Sequence, residues 1–207
     1  MKHHLAVLAL LLTSTRIAAQ APAADFPAQL SVDTRQVLTR IADSARAAKL
    51  PVEPLVSKAA EGVLKGADDA RIIAAVRTLA RQLGEARAIM PAGTGTAALT
   101  AAASALRAGV TAETLRSLVE AGQGSDAADF GVALVTLADL AANGVPPRTA
   151  GDAVSELLRR GTPGRDLAAL RSAIAQDIGD GIAPARALSA RLRILMPATP
   201  TPEVRRP

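Results

Sequence analysis

The chain has 207 residues, with 24 Lys and Arg against 19 Asp and Glu, 48 Ala, 2 Phe, 2 His and no Cys, Trp or Tyr. Both histidines, His3 and His4, fall in a segment that reads as a leader, so the remainder carries neither imidazole nor thiol. That excludes zinc sites on His or Cys ligands, Cys or Ser–His nucleophilic catalysis, disulfide staples, and haem or copper sites with axial His or Cys.

Met1-Lys2-His3-His4 is a short basic start, Leu5 to Leu12 is an apolar run, and Ala18 to Ala24 supplies small residues. This is the layout of a secretory signal peptide over 1–23, with cleavage expected after Ala19 or Ala23. The apolar run is too short to span a bilayer, which takes about 20 residues. An uncleaved amphipathic anchor is the alternative, kept open by Arg16 beside the apolar run. No Cys follows the run to carry a lipid, so the expected location is periplasmic or secreted. Removing the leader removes Lys2 and Arg16, leaving 22 basic and 19 acidic side chains. The residual net charge of +3 is uneven: +3 over 24–110, −4 over 111–183 and +4 over 184–207. It is too weak for a nucleic-acid partner, and the stacking aromatics are missing.

The helix punctuation then follows in order. Ser31 or Asp33 opens a helix to Ala48, with Val37, Leu38, Ile41 and Ala45 at helical spacing, ended by Lys49-Leu50-Pro51. Pro51 and Pro54 open a second, closed by Gly66. Asp68-Asp69 cap a long third to Ala88, with Ile72, Val76 and Leu83 in its buried stripe and Arg77, Arg81 and Glu85 outward. Residues 90–95 form a linker and a possible sub-boundary. An Ala-rich helix runs from Thr96 to Ala108. Thr111 caps a short helix to Ala121, and Ser125 or Asp126 the next, to Ala142. Pro146-Pro147 opens one to Arg160, Asp166 sits in the first turn of another, and Pro184 starts the last, to Leu195. Residues 196–207 are Pro-rich and basic, a composition expected to be disordered.

Four junctions share one form: Lys49-Leu50-Pro51-Val52, Gly109-Val110-Thr111-Ala112, Gly144-Val145-Pro146-Pro147 and Gly181-Ile182-Ala183-Pro184. Each puts one apolar residue between a helix stop and the next helix start, where it can staple onto the first turn. A second stop follows after 16 residues at Gly66, 14 at Gly124 and 16 at Gly161. Ile73-Ala74-Ala75-Val76-Arg77-Thr78 also matches Leu167-Ala168-Ala169-Leu170-Arg171-Ser172, and Gly84 and Gly179 fall in register. The expected fold is therefore all-α: an array of stacked αα-hairpins over 24–195, of about nine helices, with a period of about 35–37 residues and the helix at 96–108 interposed. The period is similar to that of tetratricopeptide-type hairpin repeats. Their defining aromatics are absent, so the likeness is of architecture only.

Residues able to carry chemistry read more simply as structure. Asp68-Asp69 and Asp126 with Asp129 are first-turn acids, and Asp177 with Asp180 lacks the six or more oxygens Ca²⁺ wants. Gly93-Thr94-Gly95-Thr96 lacks the Lys and preceding strand of a phosphate loop. Ser57 and Lys58 are neighbours on a helix and point about 100° apart. Glu53, Glu61, Glu113, Glu120 and Glu156 have no aromatics with which to hold a sugar. No cofactor or metal is expected. The expected function is that of an exported, non-enzymatic interaction or scaffold module whose partner is another exported or envelope protein. Its candidate contact residues are Arg77, Arg81, Arg186, Arg191 and Arg193. The alternative is a peripheral envelope protein held to anionic surfaces by its basic ends, and an enzyme using carboxylates or Lys ranks below both.

Overall fold

The computed structural model describes residues 24–196. Residues 1–23, expected to be a leader, and the segment 197–207 lie outside the described residues, as do the expectations placed on them. The described residues form nine helices and no strand: α1 (Val32–Ala47), α2 (Glu53–Leu64), α3 (Asp69–Ile89), α4 (Thr96–Arg107), α5 (Ala112–Ala121), α6 (Ala127–Ala142), α7 (Pro147–Arg159), α8 (Gly164–Gly179) and α9 (Pro184–Leu195). The chain is all-α.

Helix starts follow local chemistry. The side chains of Ser31, Asp68, Thr111 and Asp126 each accept a backbone N–H of the helix they precede, answering donors that have no intrahelical partner. The ends are just as regular. At the C-termini of α1, α2, α4, α6, α7 and α8, two further backbone N–H groups bond back into the last turn, for example Gly144 N to Ala141 O at 3.1 Å and Val145 N to Leu140 O at 3.0 Å. This closure puts one residue in the left-handed region. Glycine fills that position at Gly66, Gly109, Gly144, Gly161 and Gly181, and Lys49 fills it in α1 with φ 57°.

The apolar residue after each stop serves two helices. It is the residue whose N–H closes the old helix, and at Val110, Val145 and Ile182 it directly precedes the cap of the next one. In the first junction Leu50 stands one residue further out, because Val52 is the cap. Val110 and Val145 are buried while Ile182 is 39% exposed, so this staple is covered only where a later junction follows it. Pro147 lies 3.6 Å from a Cβ built on Gly109, and Pro184 lies 3.4 Å from one built on Gly144. Consecutive junctions are thus stacked on one another.

The helices form two rows. One runs α1, α3, α4, α6, α8, each in contact with the next, and the other runs α5, α7, α9. Helix α2 packs on α3, while α6 meets α7 and α8 meets α9 across the rows. The buried side chains, from Phe26 to Leu188, are almost entirely Leu, Ala, Val and Ile. Small Ala side chains such as Ala102, Ala103, Ala133 and Ala141 let α4 and α6 approach closely, which offsets the lack of aromatic bulk.

Polar ties repeat along the rows. Ser31 Oγ and Thr34 Oγ1 donate to Asp69 Oδ2 at 2.6 and 2.8 Å, joining α1 to α3. Gly164 N donates to Asp129 Oδ1 at 2.8 Å, joining α6 to α8. The Thr34–Asp69 and Asp129–Gly164 pairs are each separated by 35 residues. Asp69 and Asp129, read as first-turn acids, therefore also act as inter-helix ties.

Candidate functional site

A groove of about 890 Å³ has α3 as its floor and α2 and α4 as its walls. Each helix presents successive turns to it, and side chains three or four residues apart share a helix face. Helix α2 contributes Glu53, Pro54, Ser57, Lys58 and Glu61; α3 contributes Ala74, Ala75, Thr78, Leu79 and Gln82; α4 contributes Thr96, Ala97, Thr100, Ser104 and Arg107. Leu79 is the one large aliphatic side chain in this lining. The walls are otherwise Ala, Ser and Thr with charge at the rim, and short side chains leave the space between the helices open.

The rim charges differ in how far they are satisfied. Glu61 accepts Lys58 Nζ at 2.8 Å and Lys65 Nζ at 2.5 Å. Those two ammonium groups, Lys58 first, hold its pKa down at about 2. Among the described residues Glu53 accepts only the Ser57 hydroxyl, at 3.2 Å, and Arg107 makes no ion pair. Gln82 Oε1 is a buried acceptor without a hydrogen-bond partner, a costly state for a polar atom.

The five arginines expected at an interaction surface do not come together. Arg77 and Arg81 line a separate cleft between α1 and α3, joined there by Arg40. The others sit on α9. Arg191 is engaged: its Nε and Nη2 donate to Asp177 at 2.7 and 2.5 Å, fixing α9 to α8. This pairing lowers the Asp177 pKa and raises that of Arg191. Among the described residues Arg186 and Arg193 have no such partner; both are exposed, and Arg193 adjoins exposed Ile194 in sequence. Arg40 escaped sequence reading because it lies on α1, one helix away from the visible Arg77–Arg81 pair. The groove escaped it because small polar residues on three helices carry no periodic signal of their own.

Several other sequence candidates make contacts within the fold. Asp126 caps α6 and Asp68 caps α3. Glu156 is held by Arg160 and Arg159, with Arg160 the larger cause of its lowered pKa. Ser57 and Lys58 turn to Glu53 and Glu61 respectively rather than to each other. No cluster of three or more His, Cys, Asp or Glu suited to a metal ion occurs among the described residues, and no described helix is long and apolar enough to cross a membrane. No family model, curated protein or solved structure matches the chain.

Proposed function

We propose that this protein is an exported helical-hairpin array that binds a polypeptide segment of another exported or envelope protein in the α2–α3–α4 groove. The groove itself is the observation that supports this reading: a trough with three helical walls, lined with short side chains, has the shape that receives a helix or an extended strand. The lining also says what the guest brings. Ala74, Ala75, Ala97, Thr78 and Thr100 form holes, so the guest supplies bulky aliphatic or aromatic side chains. Guest charges would answer Glu53 and Arg107 at the rim.

Export rests on the layout of 1–23, and mass spectrometry of the mature protein should find its first residue after Ala19 or Ala23. Binding is tested by filling the groove. Ala75→Trp and Thr100→Trp should abolish co-purification of the native partner from envelope extract, while Arg148→Ala, outside the groove, should leave it intact. Unchanged co-purification with either groove-filling variant would defeat the proposal.

A second reading, association with an anionic surface, has support at α9. Ile194 is 72% and Leu195 41% exposed there, next in sequence to Arg193, apolar side chains beside a basic one of the kind that lies on membranes. It requires salt-sensitive vesicle binding that is lost on Ile194→Ser with Arg193→Glu.

A further inference from the structure

The cleft between α1 and α3 holds about 550 Å³ and is distinct from the groove. Val37, Ile41, Ala45 and Ala48 recur at helical spacing along α1 and give it an apolar wall, completed by Leu50 and Ala80. Arg40, Arg77 and Arg81 line the same cleft, and no carboxylate does. All three arginines are exposed. Arg40 and Arg77 form no ion pair among the described residues, and Arg81 reaches Glu85 only at 3.7 Å in an exposed i,i+4 pair, a weak interaction in water. Other arginines are better matched: Arg46 to Asp43 at 2.5 Å, Arg160 to Glu156 at 2.7 Å and Arg191 to Asp177 at 2.5 Å.

Three like charges around one apolar wall repel each other until an anion answers them. Arg77 and Arg81 stand one turn apart, about 6 Å along the axis, which matches two carboxylates one turn apart on a facing helix. Guanidinium forks suit carboxylates in geometry as well as charge. The apolar wall from Val37 to Ala48 runs for three turns, about 16 Å, far more than one phosphate needs. The strip continues into an adjoining hollow that shares Arg40 and adds Arg35 and Val32. Arg35 Nε is buried there without a hydrogen-bond partner. A recessed wall of this length suits a rod better than a flat bilayer.

We infer that the α1–α3 cleft binds an acidic amphipathic helix of a partner protein, with its apolar stripe on Val37, Ile41 and Ala45 and its carboxylates on Arg40, Arg77 and Arg81. The inference stands on a different cleft from the groove and does not depend on the groove's guest.

The test is fluorescence anisotropy on the full chain with a synthetic helical peptide of about four turns. The peptide carries Leu at i, i+3 and i+4 positions, with Glu one turn apart on both flanks. Its counterpart carries Lys in place of Glu. The Glu peptide should bind, weaken as salt rises, and bind at least about tenfold more tightly than the Lys peptide. Arg77→Glu with Arg81→Glu should weaken it about tenfold, whereas Arg116→Glu with Arg148→Glu should not. Both sites are exposed, so helicity by circular dichroism should be unchanged. Should the double reversal nevertheless misfold, Arg77→Gln and Val37→Ser, measured singly, must each weaken binding. Equal binding of both peptides, or unchanged binding by the folded variants, overturns the inference. Displacement of the peptide by inorganic phosphate alone overturns it in favour of a small-anion site. Phosphatidylglycerol vesicles that need Arg77 and Arg81 while the peptide fails to bind overturn it in favour of lipid.

Discussion

At the residue scale, the helix ends make the sharpest predictions. Lys49 holds a left-handed φ of 57° where other helices of the chain place glycine. An L side chain there costs about 1–2 kcal/mol, partly offset by the greater unfolded-state freedom of glycine. Lys49→Gly should therefore stabilise the fold by about 0.5–1 kcal/mol in urea unfolding. Gly151 and Gly131 contrast instructively. A Cβ on Gly151 would overlap Thr114 Cγ2 across the α5–α7 contact, while one on Gly131 meets nothing within 4 Å. Gly151→Ala should destabilise by about 1–3 kcal/mol, because β-branched Thr114 has little room to yield. Gly131→Ala should stabilise by about 0.5–1 kcal/mol, the ordinary helix preference for Ala. The stops at Gly66, Gly109, Gly144 and Gly161 were legible because a helix end is a local event. The second role of Asp69 was not: its partners Ser31 and Thr34 are 38 and 35 residues away, and nothing local distinguishes a tie from a cap.

At the scale of elements, four carboxylates hold neighbouring turns or helices together. Asp69 joins α1 to α3, Asp177 joins α8 to α9, Glu156 takes two arginines of α7's end, and Glu61 takes two lysines of α2. All four pKa values are lowered, Asp69 chiefly by the Ser31 hydroxyl, Asp177 and Glu156 by arginine, and Glu61 to about 2 by Lys58. A lowered folded pKa means the unfolded chain binds protons more readily, so the stabilisation is complete above the ordinary carboxylate pKa of about 4 and is lost as pH falls below it. Urea midpoints should be flat from pH 7 to about 5 and fall steadily from about pH 4 toward pH 2. Asp177→Ala would leave Arg191 without its carboxylate and should lower hydrogen-exchange protection throughout α9 while sparing α4 and α6. Sequence reading took Arg191 as open for a partner because its match, Asp177, lies on the previous helix.

At the scale of the whole molecule, the all-α class, the helix order and a helix starting at Thr96 are legible in the sequence. These follow from caps, stops and apolar spacing, which are properties of single segments. The groove is a property of three segments at once. It forms because α4 joins the row of α3 and α6 while α2 stays on α3, leaving a trough between them. The Ala excess makes both features: Ala102 and Ala103 are fully buried on α4, while Ala75 and Ala97 leave the groove open. Site-specific photo-crosslinking reports on whether this trough holds a polypeptide, as proposed. A benzophenone side chain at Thr78 on the groove floor, in protein produced in its own cell, should trap one discrete polypeptide. The same group at Gln123, in the turn after α5, should trap none. Absence of an adduct at Thr78, or the same adduct from both positions, would contradict the account.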